Sequence, residues 1–274
     1  MSVLRGDLAD PAGHAALADA ARACDAVIHA AAHLGGDAVA HTSDTLRATR
    51  QLLDAMPPGQ RLVLVSSIAV YDTMRVAPGG TLDESAPLED AAQPRDAYAA
   101  AKLGQEALVR DSGRAAWLMR PGVVWGPGRT WHALMGFRVG PLFVQAGSDG
   151  ELPLAHVGRV AETLVRAALT DPGGVKALNV IDDDRPDRAR FLSAHRRAAG
   201  WPRAALSLPW PLWLAAARAL RPLGERRPGL LREPVLRARL MPLRYPNAAL
   251  RAALGGADAA PFETTLQHAV EAAP

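Results

Sequence analysis

The sequence predicts an α/β protein with a doubly wound parallel sheet. Two observations support this fold class. Short apolar runs alternate with segments of helical periodicity between residues 3 and 181, and this alternation is typical of parallel β–α units. The apolar runs are also continuous rather than interrupted by polar residues, which indicates strands that are buried on both faces. A chain of 274 residues is long enough for one such domain with a smaller additional region.

The elements follow one another regularly along this part of the chain. Asp10-Pro11 predicts the start of a helix, because aspartate caps helices and proline favours the first helical position. The predicted strands are residues 3–5, 26–30, 62–66, 116–119 and 177–181. The predicted helices are residues 10–22, 43–55, 96–110 and 157–169.

The pattern changes after Pro186. Helices separated by prolines and rich in Arg and Trp are predicted there, followed by ordinary amphipathic helices at residues 247–254 and 262–270. The segment 201–244 holds nine Arg and two Glu, a local net charge of +7, whereas the whole chain carries +3. Because the basic character is local, the sequence does not favour a nucleic-acid-binding protein.

The composition excludes several classes of protein. Hydrophobic residues make up 49% of the chain and charged residues 22%, as in folded domains, which excludes a disordered chain. The lone cysteine, Cys24, excludes a disulfide scaffold and is expected to be a buried apolar residue. The sequence shows neither a signal peptide nor an apolar run of the roughly 20 residues that a membrane span needs. We expect a cytoplasmic protein.

Three polar side chains stand where such a sheet binds ligands. Ser67 follows the predicted strand 62–66, and ligands of doubly wound sheets bind beyond the carboxyl ends of strands. Tyr98 and Lys102 are four residues apart and therefore share one face of a helix. We expect the lysine to lower the tyrosine pKa and the serine to hydrogen-bond the substrate oxygen. Together the three residues predict acid–base chemistry that interconverts an alcohol and a ketone.

These residues and several short motifs resemble the extended short-chain dehydrogenases/reductases, the NAD-dependent epimerase/dehydratase family. The motifs are Gly6-Asp7-Leu8, Val27-Ile28-His29-Ala30-Ala31-Ala32, Ser67, Tyr98 with Lys102, Arg120-Pro121 followed by Trp125-Gly126-Pro127-Gly128, Asn179-Val180, and the stretch from Arg244-Tyr245-Pro246 to Leu254-Gly255. The resemblance implies a Rossmann-type fold, NAD or NADP as cofactor, and Ser67, Tyr98 and Lys102 as catalytic residues. It implies cofactor-binding roles for Asp7, Leu8, Ala30, Ala31, Ala32, Tyr98, Lys102, Pro121 and Val123.

The sequence departs from the family pattern. Thr45 stands where an asparagine is usual, and Arg159 where an aspartate is usual. A Gly-x-x-Gly-x-x-Gly turn after an opening strand is absent, and so are the two strand–helix units, roughly 60 residues, that precede the Gly-Asp-Leu motif in the family. We therefore expect residues 1–185 to form an N-terminally incomplete dinucleotide-binding domain that lacks its pyrophosphate loop and exposes an edge at strand 62–66. Residues 186–274 are expected to form a smaller, mostly helical substrate-binding region, parts of which are interleaved after residue 125.

The leading functional hypothesis is an NAD(P)-dependent oxidoreductase that acts on a secondary alcohol or ketone. The C-terminal part resembles relatives of 3β-hydroxysteroid dehydrogenase and dihydroflavonol reductase more than it resembles the sugar enzymes. One alternative is a nucleotide-sugar epimerase of the same family. Another is a truncated, cofactor-free remnant with a binding or regulatory role.

The expected partner is a small-molecule substrate. Relatives in the family often dimerise through two helices, so the resemblance implies a homodimer through the helices 43–55 and 96–110. The Trp/Arg-rich region with Trp201, Trp210 and Trp213 predicts an apolar substrate mouth or a peripheral membrane contact, or else a pair of substrate-domain helices with solvated arginines. His29 and His33 lack a third ligand, so we expect no metal site. His156 precedes a predicted helix, and we expect it to be a core or cap residue, with a role facing the substrate as the alternative.

Overall fold

The fold was analysed in a computed structural model that describes residues 3–35, 37–147, 149–226 and 228–273. Its strands are β1 (Ala26–His29), β2 (Arg61–Val65), β3 (Ala116–Pro121), β4 (Val123–Trp125), β5 (Gly136–Val139), β6 (Leu142–Ala146), β7 (Leu154–His156), β8 (Val175–Val180) and β9 (Ala204–Leu208). Its helices are α1 (His14–Arg22), α2 (Ala38–Ala40), α3 (Ala48–Ala55), α4 (Ala97–Asp111), α5 (Val157–Leu169), α6 (Arg188–Ala199), α7 (Trp210–Ala219), α8 (Glu233–Leu240), α9 (Ala248–Leu254) and α10 (Phe262–Glu271).

Shorter helical segments complete the description. A π-helical segment, His41–Arg47, joins α2 to α3. Single 3₁₀ segments occur at Pro11–Gly13, Ile68–Val70, Thr73–Arg75, Ala133–Met135, Arg221–Arg226 and Gly229–Leu231. Within the described ranges, no helix is both long enough and apolar enough to span a bilayer.

The first of two compact units is built on a parallel sheet. This unit comprises the described residues up to Val70, with Leu88–Pro121 and Ala161–Val180. Its four strands lie in the order β1-β2-β3-β8, and every neighbouring pair is parallel. All six residues of β3 are buried, as expected for a strand covered on both faces. The predicted fold class, an α/β protein with a doubly wound parallel sheet, is confirmed.

Local signals explain where the helices of this unit begin. The Asp10 side chain accepts a hydrogen bond from the amide of Ala12 at 3.0 Å, and the Asp96 side chain accepts one from the amide of Ala99 at 2.8 Å. Both aspartates therefore satisfy amide groups that have no partner within the helix. Apolar side chains from α1, α3 and α4 pack with side chains of β2 and β3 into a core that contains Ala21, Leu52, Leu53, Met56, Leu62, Leu64, Val109, Ala116 and Leu118.

Two sequence-based expectations for this unit are wrong. Residues 3–5 form no strand, and Val3 and Leu4 are 69% and 58% exposed. No described strand pairs with them, and a strand is stable only when its backbone groups find partners. The predicted exposed edge at residues 62–66 is also wrong, because β2 is hydrogen-bonded to β1 on one side and β3 on the other. The edge position belongs to β1.

The second unit comprises Tyr71–Pro87, Gly122–Val160 and the described residues from Ile181 onward. Strands β4 and β7 form a parallel pair, and β5, β6 and β9 form a three-stranded sheet. Its core is rich in aromatic residues and contains Trp125, Met135, Phe143, Leu152, Leu154, Phe191, Leu192, Ala194, Phe262, Leu266 and Ala269. The sequence pattern predicted only helices after Pro186, but β9 lies there and pairs in parallel with β6. An Ala-Ala-Leu-Ser-Leu segment has little intrinsic strand preference, so its tertiary partner determines its conformation.

A membrane contact through the tryptophans of the Trp/Arg-rich region would need their side chains to be exposed. Trp210 and Trp213 are only 8% and 7% exposed, and the Trp201 ring packs at 4.4 Å from the ring of Trp131. Membrane contact therefore stays a prediction that these tryptophans do not support. Cys24, expected to be buried, is exposed, because it follows α1 on the surface rather than contributing to the core.

Ion pairs attach the start of α5 and the helix α9 to the loops that contain Asp183 and Asp258. Arg159, which replaces the usual aspartate, pairs with Asp258 at 3.0 Å. The same aspartate accepts a hydrogen bond from Arg251 at 3.2 Å, and Arg251 also binds Asp183 at 2.7 Å. The arginine at position 159, where the family pattern has an aspartate, therefore has a carboxylate partner in this chain.

Candidate active site

Ser67 lies directly beyond the carboxyl end of β2. The amide of Ser66 donates a hydrogen bond to the carbonyl oxygen of Met119 at 2.7 Å, so the chain stays attached to β3 after β2 ends. The Ser67 Oγ accepts a hydrogen bond from the amide of Ala69 at 3.1 Å, in the short turn that follows. This turn fixes the Ser67 backbone and leaves its side chain 8% exposed.

Tyr98 and Lys102 lie one turn apart near the start of α4. The Ser67 side chain lies close enough to Tyr98 to act on its pKa. The Lys102 Nζ lies 5.9 Å from the centre of the Tyr98 ring. The structure therefore brings together the three residues that the sequence predicted to be catalytic.

The electrostatics of Tyr98 differ from the sequence-based expectation. Burial raises the pKa of Tyr98, the Ser67 side chain opposes this increase, and the charge of Asp96 adds to it. The lowered pKa that was expected for Tyr98 is therefore wrong in its net direction. The Lys102 Nζ donates its hydrogen bonds to the Val65 carbonyl at 2.8 Å and to the Gln105 Oε1 at 3.0 Å.

Lys102 is itself perturbed. Its side chain is almost fully buried, and burial lowers the pKa of Lys102 to about 8, although the charge of Glu106 opposes this decrease. Because its pKa is raised, Tyr98 is a protonated phenol near neutral pH and can donate a proton. Lys102 is a cation that loses its charge in mildly alkaline solution.

A buried ion pair joins α4 to the two central strands. Glu106 accepts hydrogen bonds from Arg120 Nε at 2.9 Å and Nη2 at 2.7 Å, from Ser66 Oγ at 2.6 Å and from Arg110 at 2.8 Å. Burial alone would raise the pKa of Glu106, but Arg120, Ser66 and Arg110 together hold it below its usual value. Sequence reasoning missed Glu106. An arginine in a continuous apolar strand is a signal that a buried carboxylate must be near.

Part of the predicted cofactor site lines a cleft of about 400 Å³. Its lining includes the predicted residues Asp7, Leu8, Ala31 and Ala32, together with Gly6, His33 and Asp44. Small side chains at positions 31 and 32 leave room for a flat ring, and Asp7 provides a hydrogen-bond acceptor. This lining suits the adenosine half of a dinucleotide.

The other predicted cofactor residues lie outside this lining. Ala30 precedes it on the chain and is exposed. Pro121 is buried at the end of β3. Val123 is half-buried in β4 and belongs to the second unit.

His41 lies near Tyr98, with His33 beside it, and the sequence did not predict this group. The His41 ring lies 6.1 Å from the Tyr98 ring and 4.9 Å from the His33 ring, centre to centre. Thr45, the residue that replaces the usual asparagine, is fully buried and accepts a hydrogen bond from the amide of His33 at 2.9 Å. The π-helical segment His41–Arg47 brings His41 beside Tyr98, and the sequence pattern gives no sign of it.

The sequence also led to predictions for His29 and His156, which lie in different surroundings. His29 lies in β1 and is hydrogen-bonded to Thr49 at 2.9 Å. His156 donates its backbone amide to Asp182 at 2.8 Å and packs its ring against Trp125, as expected for a core or cap residue. In the part of the chain that the structure describes, no group of three or more His, Cys, Asp or Glu side chains could hold a metal ion.

Solved structures with the same fold include several sugar epimerases. A protein from Burkholderia cenocepacia J2315, provisionally described as an epimerase, is 23% identical, with 99% of this chain and 82% of that chain covered and a TM-score of 0.70. The UDP-glucose 4-epimerase from Bifidobacterium longum in complex with NAD+ and UDP is 18% identical, with 98% and 82% covered and a TM-score of 0.65. The UDP-glucuronic acid 4-epimerase from Bacillus cereus in complex with NAD is 15% identical, with 93% and 76% covered and a TM-score of 0.65. At these identities the likeness establishes the fold.

Sequence comparison identifies the family. No curated protein matches the chain. The family model of the NAD dependent epimerase/dehydratase family matches residues 2–171, which is more than half of the sequence and includes strands β1, β2 and β3 of the parallel sheet, with Ser67, Tyr98 and Lys102. The chain therefore belongs to the NAD dependent epimerase/dehydratase family.

Proposed function

We propose that this protein is an NAD(P)-dependent oxidoreductase that interconverts a secondary alcohol and a ketone at a site formed by Ser67, Tyr98 and Lys102. The observation that carries the proposal is the proximity of Ser67 and Lys102 to Tyr98, with the Lys102 ammonium 5.9 Å from the centre of the tyrosine ring. A phenol, a hydroxyl and a cation gathered at the carboxyl end of a strand are suited to proton transfer at a substrate oxygen.

The residues of this site have separate tasks. In the direction of ketone reduction, the Tyr98 hydroxyl donates its proton to the substrate oxygen as that oxygen gains negative charge. In the direction of alcohol oxidation, the tyrosine oxygen takes the proton back. Ser67 orients the substrate oxygen by a hydrogen bond, and the charge of Lys102 stabilises the tyrosine oxygen after its proton has left. A bound nicotinamide cofactor would supply or accept the hydride at the carbinol carbon.

The cofactor would be held by residues of the first unit. Asp7, Leu8, Ala31 and Ala32 line the cleft that suits an adenosine group. Tyr98 and Lys102 would face the ribose at the other end of the dinucleotide. The described residues give no reason to prefer NAD over NADP, so both are part of the proposal.

Epimerisation of a nucleotide sugar is the second candidate. The activities of the enzymes with similar structures favour it. Two of them are 4-epimerases of UDP-sugars, crystallised with NAD or NAD+. Epimerisation uses the same oxidation step and then reverses it on the other face of the sugar. The two candidates therefore share Ser67, Tyr98 and Lys102 and differ in net cofactor reduction.

One experiment separates the candidates. The protein is incubated with NAD+ or NADP+ and either a panel of secondary alcohols or UDP-glucose and UDP-glucuronic acid. NADH or NADPH absorbance and the sugar composition are both measured. Net reduction of the cofactor supports the oxidoreductase, and a changed sugar without net reduction supports the epimerase. Absence of both products would favour a binding or regulatory role. Equal turnover in a Tyr98→Phe variant would overturn the proposed site.

A further inference from the structure

Lys102 is held by a buried side chain that no motif identifies. The Gln105 Oε1 accepts a hydrogen bond from the Lys102 Nζ at 3.0 Å. Gln105 is fully buried, one turn beyond Lys102 on α4. A buried amide must satisfy both its oxygen and its nitrogen, so its other contacts determine which end faces the lysine.

Thr49 determines the orientation of the amide. The Gln105 Nε2 donates to Thr49 Oγ1 at 2.8 Å, and the Thr49 hydroxyl uses its own hydrogen to bind the Thr45 carbonyl at 2.7 Å. The Thr49 oxygen is therefore an acceptor for Gln105. If the amide were reversed, its NH₂ group would face the ammonium, and its oxygen would face a hydroxyl that has no hydrogen left to donate.

His29 completes the set of contacts. Its Nε2 lies 2.9 Å from the same Thr49 oxygen and 3.4 Å from the Gln105 Nε2, so the ring closes the polar cluster around the amide. Burial, together with the charge of Lys102, lowers the pKa of His29 to about 4, so the ring is neutral at neutral pH. A neutral imidazole beside Gln105 adds no positive charge that would repel the lysine.

We propose that Gln105, oriented by Thr49, is a positioning residue that fixes the Lys102 ammonium beside Tyr98. The proposal rests on the function proposed above and adds a residue to that site. The charged groups that act on Lys102 from the surrounding elements are Glu106 on α4 and, when protonated, His29 on β1. Gln105 acts through a hydrogen bond to the ammonium, which favours its charged form.

The lysine content of the chain makes a direct test practical. Lys102 and Lys176 are the only lysines in the sequence, so protein labelled with ¹³Cε-lysine gives two lysine signals by NMR. A Lys176→Arg variant assigns them, and Lys176, which is exposed on β8, serves as an internal reference. The titration midpoint of Lys102 is then measured in the wild type and in variants, with circular dichroism to verify folding.

Three variants and one control decide the proposal. Gln105→Leu removes the acceptor, so the Lys102 midpoint should fall by about one pH unit, since a hydrogen bond to an ion stabilises the charged form by about that much. Gln105→Glu keeps an oxygen at the lysine and adds a negative charge, so the midpoint should rise. Thr49→Val leaves Gln105 in place but frees its amide to rotate, so the midpoint should fall by less. Gln51→Leu, a partly buried glutamine on α3, should leave it unchanged.

Unchanged midpoints in Gln105→Leu and Gln105→Glu would overturn the proposal. If Gln105→Leu does not fold, Gln105→Glu and Thr49→Val give the decision. The titration requires neither substrate nor cofactor, so it is independent of the result of Tyr98→Phe, which tests the proposed function alone. Once a substrate is found, Gln105→Leu should lower kcat about tenfold and Gln105→Glu should restore part of it. Unchanged kcat in Gln105→Leu despite a shifted midpoint would also overturn the positioning role.

Discussion

Replacing Glu106 with glutamine should destabilise the protein more than any exposed charge substitution. The carboxylate is fully buried and accepts two hydrogen bonds from Arg120, one from Ser66 and one from Arg110. Glutamine has nearly the same shape but offers one oxygen acceptor and an NH₂ group that faces donors. Arg120, which is 2% exposed, would then lose the carboxylate of Glu106.

The size of the effect follows from this burial. Breaking a buried ion pair by removing one partner costs about 3–5 kcal/mol, because the remaining charge stays desolvated. For a chain of this length each kcal/mol lowers Tm by about 2 °C. The Glu106→Gln variant should therefore melt on the order of 8 °C below the wild type. Its turnover should also fall, since Glu106 joins the helix that carries Tyr98 to the strand end that carries Ser67.

The matched control is Glu162→Gln. Glu162 pairs with Arg166 at 2.9 Å, but both side chains are 45% exposed, and such a pair contributes about 0–1 kcal/mol. Both variants are compared with the wild type by differential scanning calorimetry near neutral pH. Equal shifts in Tm for Glu106→Gln and Glu162→Gln would refute the reasoning. A Glu106→Leu, Arg120→Met double variant should recover much of the lost stability, because it removes both charges.

Three further predictions concern the site and its surroundings. Tyr98→Phe should reduce turnover by about 10²–10⁴ while calorimetric titration shows cofactor affinity close to that of the wild type; undiminished turnover would contradict the role of Tyr98. Because burial raises the pKa of Tyr98, alcohol oxidation should accelerate as pH rises through the alkaline range and ketone reduction should slow, and a flat pair of profiles would count against the phenol as acid and base. Burial lowers the pKa of His29 to about 4, against about 6.5 unfolded, so its neutral form contributes stability that is complete above pH 6.5 and is lost as pH falls towards 4, by about 3 kcal/mol. Urea unfolding at pH 7 and pH 5 should show a smaller loss in His29→Gln than in the wild type, and equal losses would contradict this assignment.

The elements that the sequence predicted well are those with local signals. The helix Val157–Leu169 has the predicted bounds, and Asp10 caps the helical segment that begins at Pro11, as predicted. Caps and helical periodicity depend on residues within a few positions of one another. By contrast, β9 exists because β6 lies beside it, and residues 3–5 form no strand among the described residues because none pairs with them. Strand pairing depends on distant parts of the chain, which periodicity does not reveal.

In the candidate site, too, the features that depend on local sequence were predicted and those that depend on distant contacts were not. Spacing alone was enough to place Tyr98 and Lys102 on one helix face, and the strand end was enough to place Ser67. The direction of the Tyr98 pKa shift was wrong, because it depends on burial and on where the Lys102 ammonium points. A four-residue spacing places two side chains near each other but does not specify their other partners.

The buried face of α4 connects the fold to the proposed function. Lys102, Gln105 and Glu106 are all buried on a helix of 15 residues, at positions where a helix of this kind usually carries apolar side chains. Desolvating these groups is unfavourable unless each finds a partner, and each has one: Val65 and Gln105 for the lysine, Thr49 for the glutamine, Arg120 for the glutamate. A single packing arrangement satisfies all of these contacts together. The polar face therefore holds α4 in one position against β2, and this is the property that a helix carrying a proton donor needs.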